Sequence, residues 1–134
     1  MNWNYISGFF DADGYISMLK PNKNKNKTLY VGFTNVELDI LNEIKTFIEF
    51  ELGVKGTITK KTSNNENHSD SYELKYVYNN ALKVIDNIDT HHPKKKHRKN
   101  IIIEQYSKLT PRNGKYTEEM KEKREKMVES FFSL

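Results

Sequence analysis

The sequence predicts an α+β fold in which helices cover one face of a four-stranded antiparallel sheet. Segments with helical and strand periodicity follow one another in the order α-β-β-α-β-β-α, and further helices come after them. A polar loop separates the two strands of each pair, so the strands are expected to form two hairpins. The unit is not repeated within the 134 residues, so residues 1–134 are predicted to form a single domain.

Residues 3–12 form the first predicted helix, and its two sides differ in character. The side expected to face the core consists of Trp3, Ile6, Phe9 and Phe10. Gly8 and Ala12 lie nearly opposite, one turn apart, although glycine inside a helix costs roughly 1 kcal/mol relative to alanine. Small residues at this spacing let two helix axes approach closely. We therefore predict a helix–helix interface; the alternative is a surface helix that tolerates one unfavourable glycine.

The partner helix is expected to come from a second copy of the chain, because this pattern occurs only once in the sequence. In a twofold homodimer the same surface patch meets itself. The predicted interface residues are Ser7, Gly8, Asp11 and Ala12.

Asp11 and Asp13 place two carboxylates where the first helix ends and the next strand begins. The negative end of the helix dipole disfavours carboxylates there unless a cation is bound, and oxygen ligands of this kind suit Mg²⁺. In the homodimer the two Asp13 side chains are expected near the twofold axis. Two such charges about 5 Å apart repel by roughly 3 kcal/mol at an effective dielectric near 20, and bound cations would remove that repulsion.

Period-two alternation of apolar and polar residues predicts the strands. The predicted strands are residues 15–20, 28–35, 55–62 and 72–78. The predicted hairpin loops are residues 21–27 and 63–69, which are rich in Asn, Lys and Ser.

The other helices are predicted from apolar spacing and from the residues that begin or end helices. Residues 37–52 have apolar side chains at helical spacing, and Gly53 is a suitable C-terminal stop. Shorter helices are predicted over residues 81–88 and 98–109. Thr117 is expected to cap a last helix that starts with two glutamates.

The sheet face that the helices leave uncovered is predicted to be polar and aromatic. It is expected to show Tyr15, Ser17, Tyr30, Gly32, Thr34, Thr57, Thr59, Lys61, Glu73 and Lys75. A twisted ribbon of strands fits the DNA major groove, where each base pair has its own hydrogen-bonding pattern. We interpret this face as a DNA-binding surface; the alternative is an ordinary solvated sheet face.

The composition predicts a soluble intracellular protein, in the cytoplasm or in an organelle that contains DNA. Hydrophobic residues make up 36% and charged residues 30% of the chain, and no apolar run approaches the length of a membrane span. No membrane partner and no basic-then-apolar leader is expected. The chain contains no cysteine, which excludes disulfides and a zinc site built on thiolates.

Positive charge is concentrated in a few segments, although the net charge is only +4. The clusters are Lys20, Lys23, Lys25 and Lys27, then Lys60 and Lys61, then Lys94, Lys95, Lys96, Arg98 and Lys99. Acidic residues concentrate in the predicted helices instead. This segregation indicates one basic face that suits nucleic acid; the alternative is ordinary solvated charge runs.

The order of residue types over residues 6–14 resembles the signature of the LAGLIDADG homing endonucleases. Gly8 matches its first glycine and residues 11–14 match its closing four letters, while Ser7 and Phe10 are tolerable departures. The resemblance implies a saddle-shaped sheet that binds double-stranded DNA in the major groove. It also implies motif helices that pair at the subunit interface, and a double-strand cut that depends on a divalent metal, usually Mg²⁺.

The resemblance also implies roles for individual residues. Asp13 would ligate the metal with help from the Ala12 carbonyl, and Asp11 would be a structural acid. Asn35 stands where some single-motif relatives place a polar catalytic residue. Lys95 fits best the lysine expected beside the scissile phosphate, with the register uncertain by one. The remaining predicted DNA contacts are Lys23, Lys25, Lys94 and Lys96.

Two copies of a chain this size would cover about 20 base pairs, so a long pseudo-palindromic target is expected. A reading frame of this length is expected to be encoded in an intron. Two other functions stay open: a nucleic-acid binder that does not cut, such as an intron maturase, and a dimeric α+β interaction domain. For His91, His92 and His97, phosphate contact or solvent exposure is favoured over a metal role.

Overall fold

The computed structural model describes residues 1–23, 26–64, 66–67, 69–111 and 115–133. The predicted α+β fold is confirmed. The elements are α1 (Trp3–Asp13), β1 (Gly14–Leu19), β2 (Thr28–Asn35), α2 (Leu38–Leu52), β3 (Thr57–Lys61), β4 (Ser71–Val77), α3 (Tyr78–Asp86), α4 (Pro93–Gln105), a 3₁₀ turn (Ser107–Leu109) and α5 (Glu118–Phe132). The contacts group the chain into two compact units, Met1–Thr90 and His91–Leu134, and the single domain over residues 1–134 stays a prediction.

The four strands form one antiparallel sheet in the order β1-β2-β4-β3. The two predicted hairpins therefore lie side by side, joined through their second strands. The register aligns Tyr15, Gly32, Lys75 and Thr57 in one row across the sheet. Because side chains alternate along a strand, a shared row places residues on a shared face.

The core of the first unit lies between one face of this sheet and the helices α1, α2 and α3. The sheet contributes Ile16, Met18, Leu29, Val31, Phe33, Leu74 and Tyr76, all fully or almost fully buried. The helices contribute Ile6, Phe10, Leu41, Ile44, Ile48, Ala81, Val84 and Ile85. Among the described residues of this unit, burial has period two in the strands and helical spacing in the helices, so α1, α2 and α3 cover one face of the sheet.

Local signals fix the ends of most helices. The Asn2 side chain accepts a hydrogen bond from the Tyr5 N–H at 2.8 Å and caps α1. Gly53 ends α2 in the left-handed region at φ 68°, which glycine adopts without strain. Thr117 caps α5 as predicted, accepting a hydrogen bond from the Met120 N–H at 3.1 Å.

Two helices begin earlier than predicted. Helix α4 starts at Pro93 rather than at Arg98, with the proline at a position that needs no N–H donor. Helix α3 starts at Tyr78, whose positive φ of 55° turns the chain directly from β4 into the helix. The second unit contains α4, the 3₁₀ turn and α5, and there the Arg124 guanidinium donates to the Leu109 carbonyl at 3.0 Å. Among the described residues, none of the helices has the length and apolar character needed to span a membrane.

Candidate functional site

Asp13 is held in place because α1 passes directly into β1 with no loop between them. The backbone changes to extended geometry at Gly14, whose N–H donates to the Phe10 carbonyl. A side chain at Gly14 would bring its Cβ within 2.8 Å of the Phe10 Cα, so only glycine allows this close approach. Since Phe10 is buried in the core, the end of α1 has a fixed position. The motif's closing glycine therefore anchors the preceding carboxylate.

Two residues at the end of β2 contact Asp13. The Asn35 side-chain N–H donates to Asp13 Oδ2 at 2.9 Å, and the Thr34 hydroxyl donates to the Asp13 carbonyl at 3.2 Å. The Asn35 side-chain oxygen accepts from the Glu37 N–H at 2.8 Å. This second bond fixes which way the Asn35 amide points, so its NH₂ group faces the carboxylate. The structure thus brings together Asp13 and Asn35, which sequence analysis selected separately.

The donor atoms around Asp13 fit a hard divalent cation. The Asp13 side chain is exposed, and Asn35 binds one of its two oxygens. The Ala12 carbonyl is among the last four of α1, which have no N–H partner inside the helix. Carboxylate and carbonyl oxygens are the ligands that Mg²⁺ prefers. Within the described ranges no three acidic, histidine or cysteine residues gather around one point.

Gly8 and Ala12 are exposed on the surface of α1, as the sequence predicts. A Cβ added at Gly8 would meet none of the described residues outside its own helix turn within 4 Å. One turn earlier, Tyr5 is 48% exposed and stacks on Phe9 with 6.3 Å between ring centroids. We call Tyr5, Gly8 and Ala12 the α1 stripe. Tyr5 was absent from the predicted interface, although its position three residues before Gly8 places it on the same side of the helix.

Ser7 and Asp11 differ from their predicted interface role. Ser7 is only 7% exposed, and its hydroxyl oxygen accepts from the Asp89 N–H at 2.9 Å. The Thr90 hydroxyl donates to Asp11 Oδ1, and Thr90 is itself buried. Ser7 and Asp11 lie one turn apart on the side of α1 that meets the segment after α3. Their side chains therefore bind within the chain, and the surface open to a second copy is the α1 stripe.

The outer face of the sheet carries the ten residues predicted there. Thr57, Thr59 and Lys61 are exposed, and most of the others are half-buried. Gly32 is the exception, because it is buried beneath the Tyr15 ring. A Cβ on Gly32 would lie 2.6 Å from the Tyr15 Cζ. The predicted direct contact of Gly32 with DNA is therefore corrected: the Tyr15 ring covers that position.

Glu73 interacts with two other side chains of this outer face, Lys61 and Tyr15. Lys61 pairs with Glu73 at 3.0 Å, and the Lys75 ammonium lies 5.5 Å from the Tyr30 ring centroid. The pKa of Tyr15 is raised above its ordinary value. Burial of the hydroxyl is the main cause, and the negative charge of Glu73 and its hydrogen bond with Tyr15 add to it. Tyr15 therefore stays protonated at neutral pH and can donate to the carboxylate.

The predicted lysine contacts are distributed over both units. Lys23 is exposed beside β1, whereas Lys25 lies outside the described residues. Lys94, Lys95 and Lys96 lie in the first turn of α4, which contains no acidic residue. The His97 ring Nε2 lies 2.7 Å from the Ser130 carbonyl, while His91 and His92 are exposed. None of the three histidines belongs to a cluster of potential metal ligands in the described part of the chain.

The fold and the site together define a single-motif αββαββα domain with a polar sheet face and an aspartate at the end of its motif helix. The sequence-family model for the LAGLIDADG-like domain matches residues 2–89, which is well over half of the chain. The chain therefore belongs to the LAGLIDADG family. No curated protein sequence matches it significantly.

Solved structures with a similar fold include three endonucleases, two of which are described as LAGLIDADG enzymes. The archaeal intron-encoded homing endonuclease I-Vdi141I, complexed with DNA, aligns over 97% of this chain and 81% of its own, with TM-score 0.62 and 15% identity. The homing endonuclease I-GzeII in complex with its DNA target gives TM-score 0.66 at 19% identity over the whole chain. The LAGLIDADG meganuclease I-AabMI bound to uncleaved DNA aligns over the whole chain with a TM-score of 0.60 and 16% identity. This chain spans 45% of each of the last two proteins.

Proposed function

We propose that this chain is a site-specific DNA endonuclease that cuts both strands of a long pseudo-palindromic target as a homodimer, using Mg²⁺ or a similar divalent ion. The observation that carries the proposal is the exposed Asp13 carboxylate at the end of α1, oriented by Asn35 and adjacent to the open α1 stripe. Its substrate implies an intracellular location with access to DNA.

The homodimer is proposed because Asp13 lies at the end of α1, beside the exposed Gly8 and Ala12 of the α1 stripe. A twofold contact between α1 stripes would bring a second Asp13 next to the first and complete a set of oxygen ligands. Divalent ions held there would neutralise the carboxylates, polarise the scissile phosphate and lower the pKa of a bound water. The lengths of the similar structures support this, because two of them contain about twice as much chain as this protein.

The chain's own residues have distinct proposed roles in cleavage. Asp13 and the Ala12 carbonyl hold the metal, and Asn35 fixes the carboxylate in the orientation that binds it. Lys95 is proposed to stabilise negative charge that develops on the scissile phosphate. Lys94 and Lys96 are proposed to contact neighbouring phosphates as point charges, as are Lys23 and Lys25.

DNA is the proposed partner of the outer sheet face. This face is polar and aromatic, and it carries Lys61 and Lys75. Proteins of similar fold have been solved in complex with DNA, which supports DNA as the partner here. Side chains that alternate outward from neighbouring strands would meet the base edges in the major groove.

The test is cleavage of a plasmid library with randomised inserts, followed by sequencing of the cut ends. With Mg²⁺ we expect double-strand cuts at one pseudo-palindromic sequence, and none after chelation with EDTA. Asp13→Asn should abolish cutting. Asp86→Asn is the matched control, because Asp86 is also an exposed acid at a helix C-terminus and should not matter. Salt-dependent binding without any cut would favour a non-cleaving nucleic-acid binder, and absence of binding would favour an interaction domain.

A further inference from the structure

Glu73 is an acid at the centre of a surface that otherwise suits DNA. It lies on β4 between Thr34 of β2 and Thr59 of β3, all in one row on the outer face. Its side chain is 12% exposed. A carboxylate repels phosphate, so a DNA-binding face gains no backbone affinity from it. Because β4 is an inner strand of the sheet, Glu73 would face base edges rather than phosphates when the outer face enters the major groove.

Two neighbours hold the Glu73 carboxylate in one orientation. Lys61 pairs with Oε2 at 3.0 Å. The Tyr15 hydroxyl also bonds to the carboxylate, and the Tyr15 ring is fixed where it lies against Gly32. An ionised carboxylate has about four acceptor positions, so these two partners, the ones found among the described residues, leave acceptor capacity for a ligand. The group is therefore a preorganised acceptor that offers no donor.

A group that only accepts hydrogen bonds distinguishes the four bases in the major groove. Cytosine presents an amino donor there, guanine presents two acceptors, and thymine presents one acceptor and a methyl group. Adenine presents an amino donor beside an acceptor, N7, which the second carboxylate oxygen would repel. The expected order of preference is cytosine first, adenine second, and guanine or thymine last.

We propose that Glu73 reads a cytosine at one position in each half of the DNA target, by accepting a hydrogen bond from the cytosine amino group. Tyr15 and Lys61 act as positioning residues for this contact. The inference rests on the proposed function, because it needs the outer sheet face to enter the major groove. It adds to that function a named base and the residue that selects it.

The test is a binding selection from a library of randomised duplexes, with Ca²⁺ in place of Mg²⁺ so that recognition is measured apart from cutting. Wild-type protein should enrich cytosine at one position per half-site by roughly tenfold over guanine and thymine. Glu73→Gln keeps the side-chain length but offers both a donor and an acceptor, which matches adenine. The variant should therefore lose the cytosine preference and gain adenine at the same position.

Two further variants keep the selection interpretable. Tyr15→Phe keeps the ring over Gly32 but removes the hydroxyl, so it should weaken the cytosine preference several-fold without changing the preferred base. Glu43→Gln changes an exposed glutamate on α2 and should leave every preference unchanged. Circular dichroism verifies that each variant is folded, and Tyr15→Phe still tests the contact if Glu73→Gln does not fold.

The outcomes separate this inference from the proposed function. Defined target sequences that neither Glu73→Gln nor Tyr15→Phe alters would overturn the role of Glu73 and leave the endonuclease proposal standing. A cytosine preference that Glu73→Gln weakens without any gain of adenine would make Glu73 a structural residue, which also overturns the inference. Wild-type protein that enriches no sequence would contradict both.

Discussion

Replacing Gly8 by alanine should have opposite effects on the single chain and on its dimer. In the single chain the new methyl group causes no clash, because beyond its own helix turn it meets no atom of the described residues within 4 Å. If two α1 stripes abut, the same methyl group enters the contact from both sides. The two effects can be measured separately, which makes the substitution informative about where the second copy binds.

The stabilisation of the single chain follows from helix propensity. Alanine is favoured over glycine by roughly 1 kcal/mol in a helix interior. For a chain of 134 residues the unfolding entropy near the melting temperature is about 0.28 kcal/mol per kelvin, from about 2.1 cal/mol/K per residue. A gain of about 1 kcal/mol therefore raises Tm by about 3 to 4 °C. This rise is expected at protein concentrations low enough for the monomer to dominate.

The cost to the dimer follows from overpacking. Adding a methyl group to a closely packed contact typically costs about 1 to 3 kcal/mol, and the twofold axis places two of them in one interface. Even about 1.4 kcal/mol in total weakens association tenfold. We therefore expect the dimer dissociation constant of Gly8→Ala to rise at least about tenfold, and DNA cleavage at limiting protein to fall with it.

Sedimentation equilibrium gives the dimer dissociation constant, and calorimetry of dilute protein gives Tm. Thr46→Ala is the matched control, because it also improves helix propensity at an exposed position, on α2 instead of α1. It should raise Tm slightly and leave association unchanged. A Gly8→Ala variant that gains stability and dimerises as tightly as wild type would refute the proposal that this face of α1 is an interface.

Three other predictions follow from the contacts of single residues. Asn35→Ala removes the hydrogen bond that orients the Asp13 carboxylate, so the rate of single-turnover plasmid cleavage should fall roughly 10- to 100-fold. The DNA affinity measured by gel shift should stay unchanged. Equal losses of rate and affinity would contradict a positioning role. Ser7→Ala leaves the Asp89 N–H without its acceptor and should lower the free energy of unfolding by about 1 to 3 kcal/mol in urea, whereas no change would contradict the contact. Burial raises the pKa of Tyr15 and Tyr76, so the folded chain retains protons that the unfolded chain releases, and stability should fall as pH rises above about 10. Urea midpoints on either side of that pH measure the loss, and replacing Tyr15 by phenylalanine should reduce it.

The sheet and its two faces could be predicted because strands carry their signal in adjacent residues. The limits of β2, residues 28–35, were predicted without error, since apolar and polar side chains alternate there clearly. The same alternation correctly assigned Glu73 and Lys75 to the outer face. Burial of Gly32 was not predictable, because it depends on a tyrosine ring that crosses from the neighbouring strand.

The start of α4 was missed because its first residues give no periodic signal. Residues 94–100 are all charged or polar, so a rule based on apolar spacing detects the helix only from its second half. The proline at its first position would have been the useful signal, because proline is favoured at helix starts. Three lysines after it instead indicated a charged surface patch.

The candidate site was predicted in its residue types but not in its contacts. Asp13 and Asn35 were selected for separate reasons, and only the register that pairs Gly14 with Phe33 brings β2 beside the end of α1. The contact between Ser7 and Asp89 joins residues 82 positions apart. A helical wheel gives the angle of Ser7 around α1 but not which element lies at that angle.

A single cysteine at position 12 reports on whether two copies of the chain pair through the α1 stripe, since the chain has no cysteine of its own. If two copies pair through the α1 stripe, Ala12→Cys side chains face each other across the twofold axis within the reach of a disulfide. Mild oxidation should then convert the variant rapidly into a covalent dimer that still binds DNA, while Thr46→Cys on α2 should stay monomeric on a denaturing gel. Cross-linking of Ala12→Cys that is no faster than that of Thr46→Cys would contradict the account.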